Sequence, residues 1–174
     1  MEYEFTLKFM LTADAAEMDE LVERLGVAGC DDALVGIGQP GRVALDFTRE
    51  ANSAQSAIIS ALEAVKGAIP DARLLEVSPD FVGLSDVAEL VGVSRQNMRK
   101  LMLTHKDSFP VAIHDGSAAL WHLFPVLTWL KDHAGYAINQ ILIDVAHITM
   151  QINLAKEANQ IEGRVRKQVL ELVA

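Results

Sequence analysis

Apolar and polar side chains alternate at the start of the chain. Tyr3, Phe5, Leu7 and Phe9 are separated by charged or polar residues, a period of two that predicts a strand with one buried face. From residue 12 to residue 25 the apolar spacing becomes helical, and Gly26 then stops the helix. Residues 33–37 and 43–47 predict two further strands around a turn at 38–41.

A second helical pattern and a last strand complete this region. Asn52 or Ser53 can cap a helix that carries Ile58, Leu62 and Val65 on one side. Residues 74–77 then predict a strand. The order β-α-β-β-α-β predicts a ferredoxin-like α+β sandwich over residues 1–80, a fold that hosts many unrelated functions.

The segment Leu84–Met102 predicts two short helices joined by a tight turn. Ser85 can cap the first helix, Gly92 suits the bend, and Ser94 can cap the second helix. Met98, Leu101 and Met102 have the spacing of an inward face. The residues left outside are Arg95, Gln96, Asn97, Arg99 and Lys100, side-chain types that hydrogen-bond base edges and hold phosphates. The pattern is typical of a DNA-binding helix-turn-helix, although two core helices with a solvated basic face would look similar.

A hairpin and a helix are predicted after this motif. Asp115-Gly116 lies between the short apolar segments 111–113 and 118–121, which favours a β-hairpin. Residues 123–130 then combine an early proline with helical apolar spacing. Helix, turn, helix, hairpin and helix are the elements of a winged helix.

Residues 83–133 resemble the MerR-like, excisionase-type winged helix-turn-helix family. The resemblance lies in Val87–Leu101, in Phe109-Pro110 and in Val126–Leu130. It implies double-stranded DNA as partner, with Ser94, Arg95, Gln96 and Asn97 at the major groove, Arg99, Lys100 and Lys106 beside them, and His114 and Ser117 on the wing. Wings of this type commonly carry Arg or Lys, whereas Asp115 is at the tip of this one.

The charge of the chain is unevenly distributed. The formal net charge is −9, which by itself disfavours DNA binding. Residues 1–82 hold 15 acidic and 6 basic side chains, whereas residues 83–133 hold 5 of each and residues 134–174 hold 4 of each. The negative excess therefore precedes the helix-turn-helix. The modest local basicity predicts that DNA binding needs two copies of the module.

The C-terminal region predicts one long helix over residues 136–173. Its narrow apolar seam, spaced alternately by three and four residues, consists of Ile138, Ile141, Val145, Ile148 and Ile152. The seam shifts near Gly163, where a break in packing is expected. We interpret residues 134–174 as a dimerisation helix; the alternative is a helix that packs back on its own chain.

Other candidate motifs predict no catalysis. The spacing Gly36-x-Gly38-x-x-Gly41 leads into a strand rather than a helix, so a hairpin turn is favoured over a dinucleotide loop. The acidic run from Asp14 to Glu23 is typical of a solvated face. The five histidines have no tight ligand spacing, and the one cysteine, Cys30, excludes an internal disulfide. Neither a metal nor another cofactor is predicted.

The sequence therefore predicts a dimeric, DNA-binding transcriptional regulator of a bacterial-type cytoplasm, and not an enzyme. No secretory leader and no membrane-spanning run are recognised. The acidic N-terminal domain, residues 1–80, would bind a protein or small-molecule partner. One alternative is an antitoxin or immunity-type protein whose acidic domain neutralises a basic partner. Another is an enzyme on the ferredoxin-like domain, which would require a cluster of titratable residues in a cleft.

Overall fold

The fold is described by a computed structural model that covers residues 1–12, 18–36, 39 and 41–173. The first part of the first predicted helix, residue 37 of the second strand, and residues 38 and 40 of the predicted turn lie outside these described residues. The predicted α+β class is confirmed, because helices accompany an antiparallel sheet of four strands.

The sheet occupies the first half of the chain. Its strands are β1 (Glu2–Met10), β2 (Ala33–Gly36), β3 (Arg42–Glu50) and β4 (Arg73–Ser78), and they lie in the order β2-β3-β1-β4 with every neighbouring pair antiparallel. Tyr3, Phe5, Leu7 and Phe9 are buried on one face, so the alternation in the sequence identified the inner side of β1 correctly.

Two helices pack on the inner face of the sheet. They are α1 (Met18–Val27) and α2 (Ala54–Ala68). Ser53 caps α2, where its hydroxyl accepts a hydrogen bond from the Ser56 amide at 3.1 Å, which satisfies one of the free N–H groups of the first turn. Leu21, Leu25, Ile58 and Val65 join the inner side chains of the sheet in a first hydrophobic core.

A second hydrophobic core follows in the chain. The elements around it are β5 (Phe81–Val82), α3 (Leu84–Leu90), α4 (Arg95–Thr104), β6 (Trp121–His122) and α5 (Leu123–Ala134). β5 and β6 form a two-stranded antiparallel sheet. Val87, Met98 and Leu127 are buried in this core.

The predicted single C-terminal helix is instead two helices. α6 spans Gln140–Ala158 and α7 spans Gly163–Val173. Asn159 forms the C-cap of α6, and residues 160–162 separate the helices. The side chain of the polar Asn159 can compete with helical backbone hydrogen bonds, which favours an end of α6 at this point.

The seam assigned to a dimer interface lies within the chain. Val145 is 1% exposed in the first core, and Ile141, Ile148 and Ile152 pack against the same core. Ile138 precedes α6 and packs against the second core. The assignment of these five residues to an intersubunit seam is therefore wrong, and the alternative of a helix that packs on its own chain describes α6.

The other side of α6 closes the second core. Ile143 and Ala146 are buried there, so α6 contributes to both cores. A helix that is apolar around much of its circumference is typical of a central element. The prediction counted only one stripe and therefore missed this double role.

A buried polar network joins α6 to the connection between the two cores. Asp80 is 1% exposed. Its Oδ2 accepts a hydrogen bond from Asn153 Nδ2 at 2.8 Å. Its Oδ1 lies 2.8 Å from His122 Nδ1. Thr149 Oγ1 donates to the Pro79 carbonyl at 2.6 Å.

Among the described residues, no helix is both long and apolar enough to cross a membrane.

Candidate nucleic-acid interface

The turn between α3 and α4 brings two short helices together. Gly92 has φ +70°, a left-handed conformation that glycine adopts without steric cost. The Val93 amide donates to the Ala88 carbonyl at 2.9 Å, and the Ser94 hydroxyl accepts from the Asn97 amide at 3.1 Å. Ser94 therefore caps α4, as the sequence predicted.

The start of α3 differs from the prediction. Gly83, not Ser85, is its N-cap residue, and the Gly83 amide donates to Asp86 Oδ2 at 2.7 Å. The carboxylate at the third helical position satisfies the cap residue's amide, as in one half of a capping box. Ser85 lies inside the first turn of α3.

One side of α4 is buried and the other is exposed. Met98 is buried, and Leu101 and Met102 pack against the second core. The opposite side exposes a continuous set of basic and amide side chains: Arg95, Gln96, Asn97, Arg99 and Lys100. The inward and outward faces both follow the predicted helical spacing. We call these five exposed residues the α4 face.

The basic side chains on and near α4 are free of ion pairs. Within the part of the chain that the structure describes, Arg95, Arg99, Lys100 and Lys106 make no salt bridge, and α4 contains no acidic residue. Their positive charge is therefore available to an external anion.

The basic side chains of the sheet region are used differently. Arg49 forms a two-point contact with Asp32, with Nε–Oδ2 and Nη2–Oδ1 distances of 2.7 and 2.8 Å. Lys8 pairs with Glu76 at 3.2 Å. Arg24 donates to the Ala68 carbonyl, and Lys66 to the carbonyls of residues 70 and 72. Most positive charge of this region is thus held by internal contacts.

The predicted wing is a chain reversal with little regular strand. His114 and Leu120 form an isolated bridge, in which the Leu120 amide donates to the His114 carbonyl at 3.0 Å. His114 and Ser117 are exposed at this reversal. Of the segments predicted as hairpin strands, 111–113 and 118–121, only Trp121 lies in a regular strand, β6, and it pairs with β5 rather than with residues 111–113. Asp-Gly favours the reversal, but the flanking residues pair over a very short length.

Aromatic packing anchors the base of this segment. Trp121 Nε1 donates to the Pro110 carbonyl at 3.0 Å. The Phe109 ring packs edge-on against Trp121 and Trp129, with ring centroids 6.2 and 5.1 Å away. These contacts fix both ends of the reversal on the second core.

Two further exposed residues extend the α4 face. Leu103 and Thr104 line a shallow groove of about 420 Å³ together with Gln96, Arg99 and Lys100. Neither residue was among those predicted for the site from the sequence. Their spacing of three and four residues from Arg99 and Lys100 would have placed them there.

No metal or nucleophile site emerges from the described residues. They contain no group of three or more His, Cys, Asp or Glu side chains arranged to hold a metal ion. Cys30 is buried in the first core, and burial raises the pKa of its thiol, an effect that nearby Arg49 opposes. A protonated, buried thiol is a poor nucleophile.

No protein-family model matches the chain, and no curated protein matches it significantly.

Proposed function

We propose that the protein binds double-stranded DNA as a homodimer through α4 and regulates transcription. Arg95, Gln96 and Asn97 would contact base edges in the major groove. Arg99, Lys100 and Lys106 would hold phosphates, with Ser94 at the helix start. His114 and Ser117, on the chain reversal, would approach the sugar-phosphate backbone of the DNA.

The proposal includes two finer structural assignments. The strand order β2-β3-β1-β4, with helices between β1 and β2 and between β3 and β4, supports a ferredoxin-like arrangement of residues 1–80. The succession α3, α4, chain reversal and α5 supports a winged helix-turn-helix over residues 81–133, and with it the resemblance to MerR-like proteins.

The observation that carries the proposal is the α4 face itself. It presents two guanidinium groups, one ammonium and two side-chain amides on an exposed helix that has no acidic residue. Arg, Asn and Gln are the side chains whose geometry suits bidentate contacts with guanine and adenine. Because the arginine and lysine side chains of the α4 face form no ion pairs within the described part of the chain, binding DNA would not have to break any.

A dimer would require a surface other than the α6 seam. α7 has no buried residue, and a helix of this length is marginal in water without tertiary contacts. Val165, Val169 and Leu172 are exposed at helical spacing and form one apolar side of α7, which we call the α7 face; the exposed Ile161 lies just before the helix. We propose that the α7 faces of two copies pack together.

Selection from a pool of random DNA duplexes tests the function. The proposal predicts enrichment of an inverted repeat whose half-site centres are about one helical turn, roughly 34 Å, or a multiple of it apart. Recovery of a single, non-repeated site would contradict the dimer, and no enrichment at any salt concentration would contradict sequence-specific DNA binding. Selection with an Arg42→Ala protein serves as the control, since Arg42 lies on β3 in the sheet region.

A further inference from the structure

One face of the sheet is not covered by any helix among the described residues. Along β1 the side chains of Glu2, Glu4 and Thr6 point away from the first core, opposite to the buried Tyr3 and Phe5. An antiparallel sheet can leave one face in water.

The strand register sets the composition of the face. One row of cross-strand neighbours consists of Leu34, Asp46, Thr6 and Ser78. Leu34 is 77% exposed in this row, and Thr6 Oγ1 donates to Asp46 Oδ1 at 2.7 Å. An exposed leucine thus lies directly beside a carboxylate.

Negative charge accumulates towards one end of the face. In the described residues of the next rows, Glu4 is opposite Thr48 and Glu2 is directly opposite Glu50, and no basic side chain is on this side of those rows. Like charges directly opposite in a ladder are destabilising. A cationic partner would relieve that repulsion.

The uncovered face is one wall of a cleft. A space of about 730 Å³ lies between Glu4, Thr6, Leu34 and Asp46 of the sheet and Leu90 of α3 with Leu142 of α6. The cleft crosses all four strands, and the three spacings between them, about 4.8 Å each, make it roughly 14 Å long across the sheet.

A second cleft continues the first. It has a volume of about 570 Å³, and Ser78, Pro79 and Leu90 line both. Its walls add the carboxylates of Asp86 and Glu89 from α3, together with Lys8 and Glu76, which pair with each other at 3.2 Å. The combined groove is long and open, and carboxylates outnumber the single lysine along it, with exposed leucines between the charges. That shape suits a segment of extended chain better than a small molecule, which an enclosed pocket would surround.

We propose that this groove binds an extended basic segment of a partner protein that carries apolar side chains between its lysines or arginines. The occupant is selected by charge complementarity with the carboxylates and by apolar contact with Leu34 and Leu90. Since Leu90 belongs to α3, the segment contacts both the sheet and the helix-turn-helix. The inference does not depend on DNA binding.

A peptide-binding measurement without DNA tests the proposal. The probe is a fluorescein-labelled peptide of alternating lysine and valine, titrated with the full-length protein and followed by anisotropy. Saturable binding that weakens with salt is expected. In the double variant Glu4→Gln, Asp46→Asn the affinity should fall roughly tenfold or more.

A matched double variant distinguishes the groove from general attraction to an acidic protein. Glu20→Gln with Glu23→Gln removes the same charge from exposed positions of α1, and the affinity should stay within about twofold of the wild type. Leu34→Ser, which leaves the charge unchanged, should also weaken binding. Equal losses in the two double variants, unchanged affinity in Leu34→Ser, or no saturable binding would each overturn the proposal.

Discussion

The side chain of Asn153 pairs with the backbone of Val77 as a neighbouring strand would. Asn153 Oδ1 accepts from the Val77 amide at 2.9 Å, and Asn153 Nδ2 donates to the Val77 carbonyl at 2.8 Å. Lys156 Nζ extends the contact to the Leu75 carbonyl at 2.5 Å. Val77 lies on β4, an edge strand, so α6 satisfies part of the sheet edge and holds the two cores together.

Replacement of Asn153 should destabilise the fold strongly. Asn153→Ala leaves the Val77 amide and carbonyl and one oxygen of buried Asp80 without a partner, and we expect a loss of about 2–4 kcal/mol in the free energy of unfolding. Urea denaturation measures it. Asn159→Ala, at an exposed cap position, is the control. A loss for Asn153→Ala no larger than that of the control would show that the pairing is unimportant.

Substitutions at Ser94 separate the stability of α4 from the proposed binding of DNA. Ser94→Ala should cost about 0.5–2 kcal/mol, because the Asn97 amide loses its acceptor. Ser94→Asp should retain stability, since aspartate is an equally good cap at a positive helix end. Its negative charge would nevertheless repel DNA and lower the affinity. Undiminished DNA binding by Ser94→Asp would place the start of α4 away from the nucleic acid.

Cys30 should make stability depend on alkaline pH. Burial raises the pKa of its thiol in the folded protein above the unfolded value, so the thiol loses its proton more easily after unfolding. The contribution of this thiol to the free energy of unfolding is fully present below the ordinary thiol pKa of about 8.5. It is lost as the pH rises through the pKa of the thiol in the folded protein. Urea unfolding between about pH 7 and pH 10 should show a steeper decline for the wild type than for Cys30→Ala. Parallel declines would refute this assignment.

The α7 face should control the oligomeric state. Val169→Asp places a charge in the proposed interface, which is unfavourable without a partner. Sedimentation should show a shift from dimer to monomer, and binding to a two-half-site duplex should weaken. Lys167→Ala, on another side of α7, should leave the dimer intact. A wild-type protein that remains monomeric at micromolar concentrations would contradict the proposed dimer.

The local elements could be predicted from the sequence because their patterns are short-range. The alternation of Tyr3, Phe5, Leu7 and Phe9 identified the buried side of β1, and Ser94 identified the start of α4. In each case the informative pattern lies within a few residues along the chain. The bounds of α3 were less clear, because Asp86 competes with Ser85 as a capping side chain.

The role of α6 depends on long-range contacts that spacing does not reveal. An apolar stripe such as Ile141, Val145 and Ile148 must be covered, but the pattern does not say whether the same chain or a second copy covers it. Asn153 and Thr149 are polar residues with no local pattern that marks them as buried, yet both are buried because their partners are backbone groups of β4 and of the connection after it. The uncovered acidic face likewise depends on strand register, which brings Leu34, Asp46 and Thr6 into one row.

The most direct test of DNA binding is the affinity of Arg95→Ala and Gln96→Ala for the selected duplex, measured at fixed salt. Each substitution should weaken binding by about 1–3 kcal/mol and relax the preference at one base position. Arg42→Ala, which removes one positive charge from the sheet region, should bind as the wild type does. Wild-type affinity and unchanged base preference in both α4 variants would contradict the account.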